Sequence, residues 1–211
     1  KMIITQIRRG RRGNSLLFCD GEYIVSLNTE VVLKNGIKVG MYVDEDILED
    51  IKKKSDIRRA EEKALNLLAY RGRSKKELQD RLARDTDEVS ASVAVEKMGK
   101  LGLVDDKAFA EQYAHELLYN KRLSLSATKY KLRARGISEE VIEELFSEIN
   151  IDEQQQVLFL LKGKFHRKIG DEKSKNRVVN SLIRMGYGYG VIKKAFSILG
   201  ENALEDEEYE I

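Results

Sequence analysis

The fold is decided by a pattern that occurs twice, as LRARGISEEVIEELF at residues 132–146 and as LIRMGYGYGVIKKAF at residues 182–196. Each copy has leucine in the first place, glycine in the fifth, a Val-Ile pair in the tenth and eleventh, and phenylalanine in the last. A glycine after an apolar helical segment is typical of a helix end, and the Val-Ile-x-x-x-Phe spacing is typical of one apolar helix face. The pattern therefore predicts a helix, a glycine stop and a second amphipathic helix, repeated after 50 residues.

The repeat extends beyond these two segments. Phe109 and Phe159 keep the same offset in the preceding helices, and a weaker copy with a shorter connection begins near Asp56. Such self-similarity indicates tandem structural units that stack on their neighbours. We therefore predict three three-helix repeats that form an elongated curved body, at residues 56–104, 105–151 and 152–200. The alternative is one irregular helical domain in which the matches arise by chance.

Residues 1–55 have a different pattern, which predicts a small β-rich N-terminal module followed by a linker. Apolar segments flank Asp20-Gly21, a dipeptide typical of two-residue hairpin turns. From about residue 44 the apolar period lengthens to that of a helix, and the chain contains no proline to interrupt one. The fold class is therefore mainly α, with nine helices after the β-rich module. The absence of proline also predicts flexible joints between the helical repeats.

The composition excludes several classes of protein. A single cysteine, Cys19, cannot form an intrachain disulfide, and one cysteine with two histidines cannot build a Cys/His zinc site. No apolar stretch approaches the roughly 20 residues that cross a membrane, and no apolar signal region begins the chain. We expect a cytoplasmic protein with no membrane contact, no metal and no cofactor.

No group of residues has the sequence context of a catalytic site. Asp105-Asp106 precedes a predicted helix and suits N-capping, and Cys19 lies on a predicted strand with no histidine nearby in sequence. His115 and His166 have no recognisable catalytic neighbours. The glycine-rich residues 186–190 follow a predicted helix, whereas a dinucleotide-binding turn follows a strand. We therefore predict no catalytic residues and a non-enzymatic function.

Charge is nearly balanced over the chain but segregated along it. The 38 bases and 36 acids give a net charge of +2. Residues 201–211 form an acidic tail with six acids and no base, so the remaining chain has 38 bases, 30 acids and a charge of +8. The tail mimics DNA, shields a basic face, or serves as a disordered solubilising end. Lys131 and Arg135 are four residues apart on a predicted helix, where like charges repel, so an anionic partner explains them better than helix stability does.

Ten bases in two clusters are therefore predicted to include the main contacts to an anionic partner: Arg71, Arg73, Lys75, Arg81, Lys121, Arg122, Lys129, Lys131, Arg133 and Arg135. The alternative is that each cluster is a solvated face whose partners are neighbouring acidic helices. Tyr119 and Tyr130 lie beside or within the second cluster. They either fill core space or stack on nucleic-acid bases.

Four segments together resemble the RecX family of recombinase regulators: ALNLLAYRGRSKKEL at residues 64–78, GLVDDKAFA at 102–110, LRARGI at 132–137 and LIRMGY at 182–187. Their order and spacing carry the resemblance, which covers residues 57–200. Many members of the family have proline where this chain has Gly72. The glycine makes the turn looser, but the flanking Arg71 and Arg73 and the Ser74 cap remain.

The resemblance implies three tandem three-helix repeats and a non-enzymatic modulator of the RecA recombinase. Members of the family bind the RecA–DNA filament and commonly block its extension or promote its disassembly, which reduces ATP hydrolysis, strand exchange and coprotease action. The implied partner is therefore the RecA filament in DNA repair, recombination and the SOS response, with direct contact to single- or double-stranded DNA in some members. A nucleic-acid-binding repeat protein without a recombinase partner and a helical adapter for another protein stay open as alternatives. We expect a monomer.

Overall fold

Apolar residues alternate along the first segments of the chain, and in the computed structural model these segments form a four-stranded antiparallel sheet. The strands are β1 (Met2–Arg9), β2 (Asn14–Cys19), β3 (Glu22–Asn28) and β4 (Tyr42–Val43), in the order β3-β2-β1-β4. The predicted hairpin is confirmed: Asp20 and Gly21 have φ angles of 49° and 88°, the left-handed conformation that a type I′ turn needs. The sheet buries Ile4, Leu17 and Leu27 completely.

The structure describes the backbone of residues 1–208 and the side chains of residues 1–200. The side chains of the predicted acidic tail therefore lie outside the described residues. The chain divides into two compact units after Asp106, and each unit has its own cores. The fold class is confirmed, because an antiparallel strand module precedes a body that is mostly helical.

The β-rich module joins the helical body through one unbroken helix rather than through a linker. Helix α1 (Thr29–Lys34) is followed by helix α2 (Glu45–Tyr70), whose 26 residues contain no glycine or proline. The first half of α2 packs on the sheet through the buried Ile51, and the Ser55 hydroxyl accepts a hydrogen bond from the Asn28 N–H at 2.7 Å. The second half buries Ala60 in the next core. The predicted end of the module and linker at residue 55 therefore lies inside a continuous helix, and the change of apolar period near residue 44 marks the start of that helix.

The rest of the first unit is helix α3 (Lys75–Leu82) and helix α4 (Glu88–Lys100), which enclose a core with α2. The predicted cap at Ser74 is present, since its hydroxyl accepts a hydrogen bond from the Glu77 N–H at 3.1 Å. Leu78 and Leu82 are fully buried, as the helical spacing behind this cap predicts.

The second unit contains two further helical groups in sequence. The first comprises helix α5 (Asp106–His115), a π-helical segment (Glu116–Asn120), helix α6 (Leu125–Ala134) and helix α7 (Glu139–Glu148). The second comprises helix α8 (Glu153–Lys162), a 3₁₀ turn (His166–Lys168), helix α9 (Glu172–Arg184) and helix α10 (Tyr189–Glu208). Each group encloses its own apolar core. The domain limits at residues 56, 105, 152 and 200 stay predictions.

The two copies of the opening pattern have matching burial. Leu132 and Leu182 are both 0 % exposed, and the Val-Ile pairs each place their isoleucine in the core. Both pattern glycines end a helix with positive φ, 77° at Gly136 and 93° at Gly186. The match of Phe109 with Phe159 does not extend to burial, because Phe109 is half-buried whereas Phe159 is 60 % exposed.

The joint between α6 and the start of α10 is tightly bonded, which differs from the predicted flexible joint. The Ser124 N–H donates a hydrogen bond to the Met185 carbonyl at 3.0 Å. The buried Tyr187 hydroxyl lies 2.7 Å from both the Arg122 carbonyl and the Gln156 side-chain oxygen. A chain without proline is free to bend, but these buried hydrogen bonds fix the joint.

Candidate functional site

Arg71 and Arg73, the two arginines of the first cluster, both pair with Glu77 in the first turn of α3. The Arg73 guanidinium lies 3.0 Å from Glu77 Oε1, and Arg71 forms a second ion pair with the same carboxylate. The Arg73 side chain is only 11 % exposed, and its Nε donates to the Leu67 carbonyl at 3.4 Å. These contacts tie together the turn between α2 and α3, so part of the charge of this cluster is used within the protein.

Lys75 and Arg81, the other two members of the first cluster, lie on the exposed surface of α3. The Lys75 backbone N–H donates to the Asp106 carboxylate at 2.8 Å, and its side chain lines a shallow depression together with Glu96 and Lys100. Arg81 lies in the last turn of α3, where a base complements the negative end of the helix dipole.

Three bases of the second cluster rest on aromatic rings. The Arg122 guanidinium lies 4.7 Å from the centre of the Phe159 ring, Lys129 lies 4.8 Å from Phe146, and Arg135 lies 5.3 Å from Tyr113. A cation above an aromatic face is held in place without an opposite charge. The rings therefore position all three side chains, and Arg122 and Lys129 have no ion pair within the described residues.

The other three bases of the second cluster differ in their partners. Lys121 pairs with Glu116 at 2.8 Å, and this hydrogen bond raises the pKa of Lys121. Arg133 pairs with Glu139 of α7 through Nε at 2.7 Å, and its hydrogen bond lowers the pKa of Glu139. Lys131 is exposed and has no ion pair within the part of the chain that the structure describes.

The bases on and beside α6 therefore divide between two roles, pairing with a neighbouring acidic helix and facing outward. The acidic helix α7 compensates Arg133, as the solvated-face alternative predicts, whereas Arg122, Lys129 and Lys131 have no ion pair with the described acids. Tyr119 and Tyr130 do not fill core space, since they are 42 % and 71 % exposed. Exposed aromatic rings beside exposed cations are the combination that binds single-stranded nucleic acid.

A further basic surface lies in the third helical group and was not among the ten predicted bases. Arg167 and Lys168 in the 3₁₀ turn and Arg177 on α9 line one depression with no acid among the lining residues. The sequence signal for Arg177 is the composition of residues 172–200, which contain six bases and one acid, whereas Arg167 and Lys168 close a basic cluster that begins at Lys162. The basic cluster at residues 162–168 is visible in the sequence, but Arg177 joins it only when α9 folds against the turn.

The described residues contain no group of three His, Cys, Asp or Glu side chains that could hold a metal ion. Cys19 is buried, and burial raises the pKa of its thiol above the ordinary value, with a smaller contribution from Asp20. His115 is exposed and stacks on Tyr119 at 4.8 Å. None of the helices within the described residues combines the length and the apolar character of a membrane span.

Two family models match the helical body: the first three-helix domain of RecX at residues 60–98 and the second three-helix domain of RecX at residues 105–145. A regulatory protein RecX from Bacillus velezensis is 32 % identical over 213 residues, covering 99 % of this chain and 77 % of the relative. The chain belongs to the RecX family. A regulatory protein RecX from Clostridioides difficile is 25 % identical, with 99 % of each chain covered.

Solved RecX structures have a similar fold. The crystal structure of a regulatory protein RecX matches with a TM-score of 0.64 at 21 % identity, covering 92 % of this chain and 100 % of the other. A RecX from Lactobacillus salivarius matches with a TM-score of 0.56 at 26 % identity, covering 69 % and 97 %. The protein is therefore a RecX-type regulator. The first cluster of bases lies within the first RecX domain and the second cluster within the second, whereas residues 152–200 lie outside both matched segments.

Proposed function

We propose that the protein binds the RecA–DNA filament and inhibits its extension, and thereby its ATP hydrolysis, strand exchange and coprotease activity, in DNA repair and the SOS response. It acts without catalysis, as a monomer in the cytoplasm. Membership of the RecX family supports this function. The observation that carries the physical part of the proposal is the α6 surface, where cations are held on aromatic rings beside the exposed Lys131.

This surface suits a filament that displays both protein and DNA phosphate. Fixed cations attract phosphate groups and release the counterions bound to them, which gives affinity without sequence preference. The acidic residues of α7, next along the chain, provide the opposite charge for basic protein side chains. A regulator of this kind blocks a growing filament by occupying its surface, so it needs binding groups rather than a catalytic centre.

The test is RecA ATP hydrolysis on single-stranded DNA with the protein added well below the RecA concentration. We expect strong inhibition by the wild-type chain and weaker inhibition by Lys131→Glu. The matched control is Lys38→Glu, which reverses an exposed lysine of the β-rich module outside both clusters and should inhibit like the wild type. Absence of any inhibition by the wild type would contradict the proposal and favour the adapter function.

A second candidate function is direct nucleic-acid binding without a recombinase partner. The exposure of Tyr130 beside Lys129 and Lys131 favours it, because bases of a single strand can stack on such a ring. This function predicts that hydrolysis falls only when enough protein is present to remove the DNA. It also predicts equal affinity for bare single-stranded DNA and for RecA filaments.

A further inference from the structure

A depression of about 400 Å³ lies between the 3₁₀ turn at His166–Lys168 and helix α9. Its volume lies within the range of about 300–1,000 Å³ that is typical of small-ligand pockets. Phe165 and Val178 are 5 % and 2 % exposed and form its apolar floor. The depression therefore has a fixed base from which its polar side chains extend.

The charge around this depression is positive. Arg167, Lys168 and Arg177 are exposed, and none of them has an ion pair within the described residues. The nearby Asp171 caps α9, since its Oδ1 accepts a hydrogen bond from the Ser174 N–H at 2.9 Å. The pKa of Asp171 is lowered mainly by Ser174, with Arg177 the smallest of the contributions. The three bases therefore keep N–H donors for an external anion.

The two serines that line the depression already have partners. The Ser181 hydroxyl donates to the Arg177 carbonyl at 2.9 Å and accepts from the Arg184 guanidinium at 3.4 Å. Ser174 and Ser181 flank Arg177 on one face of α9, at the spacing of successive helical turns. The serines hold the local geometry, and the bases supply the binding groups.

The equivalent surface of α6 is covered by the turn between α9 and α10. At the 50-residue offset, Ser174 corresponds to Ser124 and Arg177 to Ala127. Gly186 approaches this part of α6 so closely that a methyl group on it would lie 2.3 Å from Ser124 Oγ and 2.5 Å from Ala127 Cβ. On α9 an arginine replaces the small alanine, and the depression is open. The last repeat thus places cations where the preceding repeat places a packing contact.

We infer that this depression binds a phosphodiester group of a nucleic-acid backbone, with Arg167, Lys168 and Arg177 as its donors. Guanidinium groups match the oxygens of a phosphate and bind them with charge-assisted hydrogen bonds. The inference deepens the proposed function, because it adds a DNA contact in the third helical group to the surface on α6.

The experiment measures binding of fluorescein-labelled oligothymidine, and of a labelled duplex, by fluorescence anisotropy over a series of salt concentrations without RecA. The test variant is R167A/R177A. The matched control is K193A/K194A, which removes from α10 two exposed bases that have no ion pair within the described residues, and so makes the same change of net charge. Far-UV circular dichroism and thermal unfolding show whether both variants are folded.

We expect R167A/R177A to weaken binding of at least one probe about tenfold at low salt and to make the slope of log affinity against log salt shallower by roughly 0.7–0.9, the value for one lost phosphate contact. The control should change affinity by less than about threefold. Equal weakening by both variants would mean that the bases act only through net charge, and this result would overturn the inference. The bases would then serve as the polar outer face that the last repeat of an array needs for solubility. Wild-type affinity for R167A/R177A, or no DNA binding by the wild type, would also overturn it. Because RecA is absent, the result is independent of whether the protein inhibits RecA.

Discussion

Helices α6 and α9 have equivalent places in two copies of one repeat, yet their bases have different surroundings. Residues 122–150 contain five bases and five acids, and the ion pair between Arg133 and Glu139 joins α6 to α7. The matching residues 172–200 contain six bases and one acid. The second repeat compensates part of its charge internally, whereas the six bases of residues 172–200 form no ion pair within the described residues.

This comparison shows that a run of bases in sequence does not by itself define an interface. Arg133 belongs to the longest basic run but is paired, while Arg177 stands apart from any run and has no ion pair among the residues whose side chains are described. What decides the role of each base is whether the fold brings an acid, a ring or an open surface next to it. Substitutions at the turn that covers α6 and at the bases themselves test whether the two helices differ in this way.

The largest expected effect is at the joint, in Gly186→Ala. The added methyl group would meet Ser124 and Ala127, and the positive φ of 93° disfavours any residue with a Cβ. We expect the free energy of unfolding to fall by about 3 kcal/mol, measured by urea denaturation.

Two control glycines separate the causes of this loss. Gly102→Ala has a positive φ of 69° with nothing within 4 Å, so it should cost only about 1 kcal/mol, from backbone strain. Gly188→Ala has open space and no positive φ, so it should be close to neutral. A loss in Gly186→Ala no greater than in Gly102→Ala would show that the close contact with α6 is unimportant.

The next effect is at Tyr187, which replaces Ile137 of the second repeat. Tyr187→Phe removes the hydroxyl that bonds the Arg122 carbonyl and Gln156, and we expect a loss of about 1–2 kcal/mol in the free energy of unfolding. Tyr189→Phe is the control, because Tyr189 is 66 % exposed and should change stability by less than about 0.5 kcal/mol. Equal losses would contradict a role for the buried hydrogen bonds.

We also expect the stability of the wild type and of Tyr187→Phe to depend differently on pH. Burial is the main cause that raises the pKa of the Tyr187 hydroxyl above its ordinary value of 10.0, with Glu153 adding to it. A raised pKa in the folded state means that stability is complete below the unfolded-state pKa and decreases as pH rises above it. The wild type should therefore lose more stability than Tyr187→Phe above about pH 10, and parallel curves would contradict this account.

The fold could be predicted from the sequence where one physical signal acts alone. Leu132 and Leu182, the glycine stops and the Ser74 cap all combine local backbone preference with burial, and the structure places them as predicted. The sequence did not predict that α2 is continuous, because the composition changes within it. A change in composition does not end a helix, whereas a glycine, a proline or a capping residue does.

The candidate site was less predictable, because long polar side chains find partners that are distant in sequence. The pairing of Arg73 with Glu77 is a local contact and could have been predicted from their four-residue spacing. By contrast, Arg122 meets Phe159 only because α8 folds back beside it, and the exposure of Tyr130 depends on which face of α6 the core uses. Periodicity predicts which residues are buried, but not which cations remain unpaired.

A smaller effect separates paired from unpaired bases on α6. Lys131→Ala removes an exposed base without an ion pair, so DNA affinity should fall several-fold and the salt dependence should become shallower by about one contact. The double variant R133A/E139A removes the ion pair without changing net charge, and its affinity should stay near that of the wild type. A loss of DNA affinity in R133A/E139A that exceeds the loss in Lys131→Ala would show that Arg133 contacts the partner despite its pair with Glu139. Anisotropy with the same labelled oligothymidine measures both.

The smallest effect is expected at the six acids of residues 201–211, which follow the uncompensated third repeat in the chain. Replacing them with their amides raises the net charge from +2 to +8. The negative charge of the tail opposes DNA binding over a distance of about 10 Å at 0.1 M salt, so affinity should rise about twofold at low salt and the gain should vanish at high salt. If the tail shields the bases of the third repeat, the gain should be absent in the R167A/R177A background. The same gain in both backgrounds would show that the tail acts through total charge alone. The charge difference between the two repeats would then depend only on the acids within their own helices.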